Sequence, residues 1–221
     1  MRLSIFDRPQ ATPIQFLKCF ENGVKLYLKR EDLIHPVISG NKFRKLKYNL
    51  IQAAKSGNDT ILTFGGAFSN HIHATAAAGA ACGFKTIGVI RGEIIEPLNP
   101  TLYQARKWGM ELVAISREDY RRKMDSLFLD QLINRFGNFY LIPEGGSNLL
   151  ALKGCAAITA VDERFDYWCV SCGTGGTMAG MLCGLTKEHT LLGFPALKGG
   201  EFLKNDIRSL LRTAEAVSYT H

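Results

Sequence analysis

The chain has 221 residues, 46% of them hydrophobic, which is enough apolar material for one large domain or two small ones with real cores. Its formal charge of +7 is spread along the sequence, with small clusters at 42–47 and 117–123. There is no basic tail and no interleaving of aromatics with charges, which argues against a nucleic-acid partner and leaves room for a phosphate-bearing small molecule.

The first ten residues lack an apolar core of signal-peptide length, and no run is long enough to span a bilayer. The six cysteines (19, 82, 155, 169, 172 and 183) fall mostly in apolar segments. Without a secretory signal they read as reduced, buried thiols, so the expected compartment is the cytoplasm, with no membrane partner.

In chain order, a strand is predicted over Val24–Lys29, then a loop, then a helix over Phe43–Ala54. From Thr60 the pattern alternates. Short apolar runs at Thr60–Phe64, Lys85–Ile90, Glu111–Ile115 and Asn138–Ile142 predict parallel, buried strands. Helices are predicted between them at Ser69–Cys82, Pro100–Trp108 and Arg117–Phe136. Gly83, Gly109 and Gly137 follow these helices, where a left-handed cap would need glycine. Ser116 with Asp119 three residues on resembles a capping box. A helix near Leu149–Thr159, a strand at Tyr167–Ser171, a helix at Thr177–Leu185 and a strand at Leu191–Phe194 complete the list. The class is α/β, with doubly wound parallel sheets. The predicted division is a smaller lobe over 43–143, with 1–42 and 144–221 forming the other lobe.

Three loops carry the chemistry. In Ser39-Gly40-Asn41-Lys42, a glycine turns the chain into the first helix, which leaves Lys42 on its first turn. Solvated, Lys42 is one more charge in a basic run. Shielded from water, its amine loses a proton more easily and becomes a nucleophile that forms an imine with an aldehyde. In Phe64-Gly65-Gly66-Ala67-Phe68-Ser69-Asn70-His71, a strand ends and a helix begins, where α/β sheets bind ligands. The helix end offers N–H groups to an anion such as a carboxylate, and Ser69 is either part of that site or simply the N-cap.

The third loop, Ser171-Cys172-Gly173-Thr174-Gly175-Gly176-Thr177, exposes successive N–H groups and hydroxyls of the kind that cradle a phosphate. It matches neither the Walker A loop, because Met181 stands where a lysine is needed, nor the dinucleotide fingerprint, because Met178 stands where the third glycine is needed. A purely structural turn is the alternative. Cys169 and Cys172 have metal or redox spacing, but no second pair follows, and His71 and His73 are two apart on a helix, so no metal site is expected.

An amine for an aldehyde, a cradle for a phosphate and a polar helix end for a carboxylate match pyridoxal 5'-phosphate (PLP) carrying an amino acid. The motifs Gly40-Asn41-Lys42-x-Arg44-Lys45-Leu46, Ser69-Asn70-His71, Glu144-Gly145-Gly146-Ser147-Asn148 and Gly173-Thr174-Gly175-Gly176-Thr177 occur in the order of a known family. From about Lys29 to Gly193 the sequence resembles the 1-aminocyclopropane-1-carboxylate deaminase/D-cysteine desulfhydrase family. The resemblance implies the two-lobed fold of the tryptophan synthase β subunit and a homodimer.

By the same resemblance Lys42 is the lysine that forms the imine with PLP, and it moves protons once substrate frees it. Asn70 lies beside the cofactor ring near its phenolic oxygen. Ser69 lies near the substrate carboxylate and takes part in catalysis. Gly173, Thr174, Gly175, Gly176 and Thr177 hold the phosphate. His71 is grouped with Ser69 and Asn70 at the substrate, with a structural hydrogen bond as its alternative role. The Glu144–Asn148 loop is placed near the cofactor without an assigned role.

The implied activity is a hydrolase or lyase reaction on 1-aminocyclopropane-1-carboxylate or D-cysteine, releasing ammonia and a 2-oxo acid. Members of the family continue past the point where this sequence stops. The resemblance therefore places the partner of the pyridine nitrogen and a reaction-selecting tyrosine loop beyond it, and Ala214–His221 offers no substitute. A catalytically silent, truncated member or binding module is the competing expectation.

Overall fold

The computed structural model describes residues 3–161, 165–186 and 188–218. After a short 3-10 helix (Leu3–Phe6) come two antiparallel strands, β1 (Ile14–Cys19) and β2 (Lys25–Lys29), joined through a turn in which Gly23 has a positive φ of 82°. Helix α1 (Asn41–Lys55) follows. A four-stranded, all-parallel sheet is then built from β3 (Thr60–Gly65), β4 (Lys85–Arg91), β5 (Met110–Ile115) and β6 (Tyr140–Ile142), in the spatial order β5-β4-β3-β6. Its crossovers are α2 (Asn70–Cys82), α3 (Pro100–Lys107), and α4 (Arg117–Arg121) with α5 (Ser126–Phe136).

All six residues of β3 are buried, as a central parallel strand covered on both faces requires. Alternation sorts its side chains. Ile61 packs with Leu46 and Leu50 of α1 and Ala74, Ala77 and Ala78 of α2. Leu62 and Phe64 pack with Val113 of β5, Tyr120 of α4, and Phe128 and Leu132 of α5. Small residues on α2 let that helix lie close to the sheet.

One predicted helix is two. The run expected as a single helix over Arg117–Phe136 breaks at Arg122–Asp125, because Asp125 caps a new helix by accepting from the N–H groups of Leu127 and Phe128. Ser116 caps α4 through the N–H of Asp119, and the Asp119 carboxylate accepts from the Ser116 hydroxyl rather than from its backbone. Gly83 takes the left-handed cap conformation, whereas Gly137, with φ 75° and ψ −163°, has the positive φ without the left-handed ψ.

Beyond the sheet come α6 (Leu149–Ala156), β7 (Tyr167–Cys172), α7 (Gly176–Gly184), β8 (Thr190–Pro195) and α8 (Phe202–Ser218). Strands β7 and β8 pair in parallel and form a sheet of their own. Helix α1 packs on α6 as well as on α2, and the missing side chain of Gly154 allows the first contact, since a Cβ there would collide with the Arg44 carbonyl. A file of aromatic rings (Phe16, Tyr27, Phe165, Trp168), each 5.3–5.5 Å from the next, runs from the hairpin to β7. Among the described residues no helix is long and apolar enough to cross a membrane. Strand β1 and helix α8 were not anticipated from sequence. Residues Tyr219–His221 at the end of the Ala214–His221 stretch lie outside the described residues.

Candidate active site

Gly40, at φ 61° and ψ −146°, turns the chain into α1 in a conformation that a side chain resists. Lys42 follows on the first turn. Its Nζ donates to Asn41 Oδ1 (2.9 Å), and Asn41 Nδ2 donates in turn to Thr177 Oγ1 (2.7 Å). The first loop is thus tied to the third, 136 residues away in sequence. Burial lowers the pKa of Lys42 below the ordinary lysine value. The only opposing influence is Cys155, whose thiol burial pushes up to about 11 and which is therefore uncharged at neutral pH. Desolvation wins, so Lys42 is the kind of lysine that reaches its nucleophilic, neutral form more easily than a surface one.

A second lysine shares the site, and the motif reading had left it without a role. Lys45 is 2% exposed, and its Nζ donates to the Gly145 carbonyl (3.0 Å) and Ser147 Oγ (3.3 Å). Burial, reinforced by the charge of Lys42, lowers its pKa to about 8. Ser147 Oγ lies 2.6 Å from Thr174 Oγ1, so Lys45 stands behind the glycine loop. Gly176 shows how tightly. A Cβ there would lie 2.4 Å from Ser147 Oγ and 3.1 Å from Lys45 Nζ. The loop opens α7, so backbone N–H groups, the helix dipole and an ammonium group converge there, which is the donor set a phosphate needs. Ile207 of α8 packs against Gly175 from the other side.

The Glu144–Asn148 loop now has a structural part. It supplies both acceptors of Lys45, and Asn148 caps α6 through the N–H of Ala151. Asn148 also exchanges hydrogen bonds with the fully buried Asn49, which donates to the Lys45 carbonyl. Glu144 forms an ion pair with Lys123 at 3.3 Å.

Ser69 is the N-cap of α2. Its Oγ accepts from the N–H groups of His71 (3.2 Å) and Ile72 (3.3 Å). Capping and ligand binding are compatible here, because both lone pairs face the helix and the hydroxyl proton remains free to donate outward. The Asn70 side chain is exposed at the same helix end. His71 is buried, and its Nε2 lies 2.8 Å from Thr63 Oγ1. Burial, followed by the charges of Lys42 and Lys45, depresses its pKa well below the ordinary histidine value, so it is neutral.

These groups meet in one cavity of about 260 Å³, lined by Lys42, Lys45, Ser69, Asn70 and His71 on one side and by the loop of Gly173, Thr174, Gly175 and Thr177 on the other. Gly176 stands behind the wall. A larger cavity of about 410 Å³ lies between β2 and β7, with a mostly apolar lining, and holds neither lysine. The smaller cavity is the one that carries chemistry. A desolvated amine, a glycine loop with a buried ammonium, and a helix N-terminus with a free hydroxyl proton fit the aldehyde and phosphate of PLP and the carboxylate of an amino acid. No group of three or more metal-ligating side chains occurs among the described residues. Cys169 is exposed and Cys172 buried, and both are free thiols.

Comparison with known proteins points the same way. The model of a family described as "Pyridoxal-phosphate dependent enzyme" matches residues 5–198. A putative 1-aminocyclopropane-1-carboxylate deaminase of Thermotoga maritima is 39% identical over 198 residues, covering 84% of this chain and 62% of that protein. The mitochondrial bifunctional D-cysteine desulfhydrase/1-aminocyclopropane-1-carboxylate deaminase of Arabidopsis thaliana is 32% identical over 182 residues, covering 74% of this chain and 45% of that protein. The crystal structure of an ACC deaminase homologue superposes with a TM-score of 0.80 at 29% identity, covering 97% of this chain and 72% of that one. This chain therefore spans about 62% of the length of its Thermotoga relative.

Proposed function

Because the chain belongs to the family of pyridoxal-phosphate dependent enzymes, we propose that it holds PLP at Lys42 and acts in the deamination or desulfhydration of a small amino acid. The relatives' names supply the two candidate substrates, 1-aminocyclopropane-1-carboxylate and D-cysteine. The observation that carries the reading is the meeting of Lys42, Lys45 with the glycine loop, and the Ser69–Asn70 helix end in one cavity. Residues 43–143 act as the smaller lobe, and 1–42 with 144–221 as the cofactor lobe.

PLP, when bound, supplies an electron sink for the bonds at the substrate's α-carbon. Everything else falls to the chain. Lys45 Nζ and the N–H groups of the Gly173–Thr177 loop would hold the phosphate and offset its charge. Asn41, bonded to both Lys42 and Thr177, ties the amine to the loop that would hold the phosphate. The outward proton of Ser69 and the N-terminus of α2 would orient the substrate carboxylate, and the Asn70 amide would donate to the cofactor's phenolic oxygen. Lys42, whose buried amine lines the cavity, would carry a proton to or from the substrate there. The balance is 1-aminocyclopropane-1-carboxylate plus water to 2-oxobutanoate and ammonia, or D-cysteine plus water to pyruvate, sulfide and ammonia.

A second reading is a module that binds the cofactor without turnover. It is favoured by the cofactor lobe, whose strands form two separate two-stranded sheets rather than one continuous sheet. Ammonia and 2-oxo acid assays on the PLP-loaded chain decide between the two. Product from either substrate, lost in Lys42→Ala, supports the enzyme, whereas an imine absorbance band with no product from either supports the module. We further propose a homodimer, to be tested by sedimentation, and, because the cysteines are free thiols, a cytoplasmic setting without nucleic-acid or membrane partners.

A further inference from the structure

The larger cavity, of about 410 Å³, is a gap between two strand edges. Its wall takes every residue of β2 from Lys25 to Lys29 and every residue of β7 from Tyr167 to Ser171. Successive residues of a strand point to opposite faces, so a cavity lying on one face touches every second side chain. An unbroken run on each of two strands places this cavity beside both backbones, in the plane of the sheets. β2 pairs with β1 and β7 with β8, and among the described residues neither has a strand on its other side.

These free edges lack the devices that keep an exposed edge from pairing. β7 reads Tyr-Trp-Cys-Val-Ser-Cys, with no charge and no proline, and β2 holds Leu-Tyr-Leu between its two lysines. Both faces of β2 are apolar as well, with Leu26 and Leu28 on one and Tyr27 on the other, all more than a third exposed. Such a hairpin is marginal by itself in water. Ile158 and Met181, which cluster with Trp168, line the gap too, and Tyr27 meets Phe165 at 5.5 Å just before β7. The gap is therefore apolar and flanked on both sides by strand backbones that lack a partner.

We infer that this gap is the docking site of one extended segment of a second, different polypeptide, which adds as a strand between β2 and β7 and joins the two sheets. The face it turns to Ile158, Trp168 and Met181 is apolar. A folded second copy is not the occupant. A strand in the gap needs both of its edges free, and every described strand of this chain already has a partner. The relatives show where such a segment exists. This chain accounts for 72% of the superposed ACC deaminase homologue and 62% of the Thermotoga protein, and the remainder of each has no counterpart here. Asn41, Ser171 and Thr177 line the gap and the smaller cavity alike. One end of the docked strand therefore abuts the site, beside the bond from Asn41 to Thr177.

The test needs no cofactor, so its failure is distinct from a failure to bind PLP. The part of the Thermotoga protein without a counterpart in this chain is made as a separate polypeptide and mixed with the full chain. Sedimentation should show a one-to-one complex, and amide exchange over Leu26–Lys29 and Trp168–Ser171 should slow at least about tenfold. Leu28→Asp puts a charge in the gap at a position already 45% exposed, and should weaken association about 100-fold with the free chain still folded. Tyr103→Asp, exposed on α3 and outside the gap, should leave association unchanged. No complex with the wild-type chain, or protection confined to other segments, would overturn the inference even if Leu28→Asp failed to fold. So would a complex indifferent to a folded Leu28→Asp chain. A chain that by itself forms a dimer with both edges protected, lost in Leu28→Asp, would make the occupant a second copy and overturn it too.

Discussion

The two halves of the molecule are built to different degrees of closure. The β3–β6 sheet is covered on both faces, and Ile61, Leu62 and Phe64 at its centre have no exposed surface. The hairpin and the β7–β8 pair are the reverse. Phe16 is 54% exposed, Tyr167 64% and Phe194 56%, and among the described residues the two sheets do not pair with each other. The cavity draws Ser69, Asn70 and His71 from the closed half and the glycine loop from the open half. Position is set by the rigid sheet, while anion binding depends on a loop held by α8, Ser147 and Lys45.

The largest expected effect lies in stability. Ile61→Ala removes a fully buried side chain from the closed half and should cost about 2–5 kcal/mol in urea unfolding. Leu192→Ala on β8, already 42% exposed, should cost under about 1 kcal/mol. Equal losses would break the comparison.

Gly176→Val next separates the cradle from the amine. The new side chain meets Ser147 Oγ and Lys45 Nζ, so affinity for 4'-deoxypyridoxine 5'-phosphate, which lacks the aldehyde, should fall about 100-fold, or ~2.8 kcal/mol, by fluorescence titration. Unchanged affinity would move the phosphate site elsewhere.

A smaller effect follows from pH. Lys45, held near 8, is an ammonium below that value and neutral above it, so its contribution to phosphate binding is present at pH 7 and lost as pH rises through 8. The same phosphate probe should bind about tenfold more weakly near pH 9.5 than near pH 7, and Lys45→Met should remove that difference. A wild-type chain with flat affinity over this range would remove Lys45 from the cradle.

What the sequence made legible follows from where local signals are strong. Buried parallel strands are continuous apolar runs, and Thr60–Phe64 and Lys85–Ile90 fall within a residue of β3 and β4. The three loops that meet in the cavity are each bounded by a strand and a helix, or by a glycine turn, and so were visible. Helix α8 lies past the last predicted strand, Leu191–Phe194, although Leu203, Ile207, Leu210, Leu211 and Ala214 recur at helical spacing. Strand β1 carried a signal too, since Asn22-Gly23 is a hairpin dipeptide. Lys45 was absorbed into a basic run, although its spacing of three from Lys42 sets both on one helix face. Its burial, the Thr63–His71 bond and the acceptors in the Glu144–Asn148 loop depend on contacts 8 to 102 residues apart, which local pattern does not encode.

The central claim is that Lys42 is the amine the cavity was built around. Borohydride reduction of the chain with PLP, followed by peptide mapping, tests it directly. The account predicts a single phosphopyridoxyl adduct on Lys42, with Lys45 unmodified because its amine is engaged by Gly145 and Ser147. Adducts scattered over exposed lysines, or one on Lys45 instead, would contradict it.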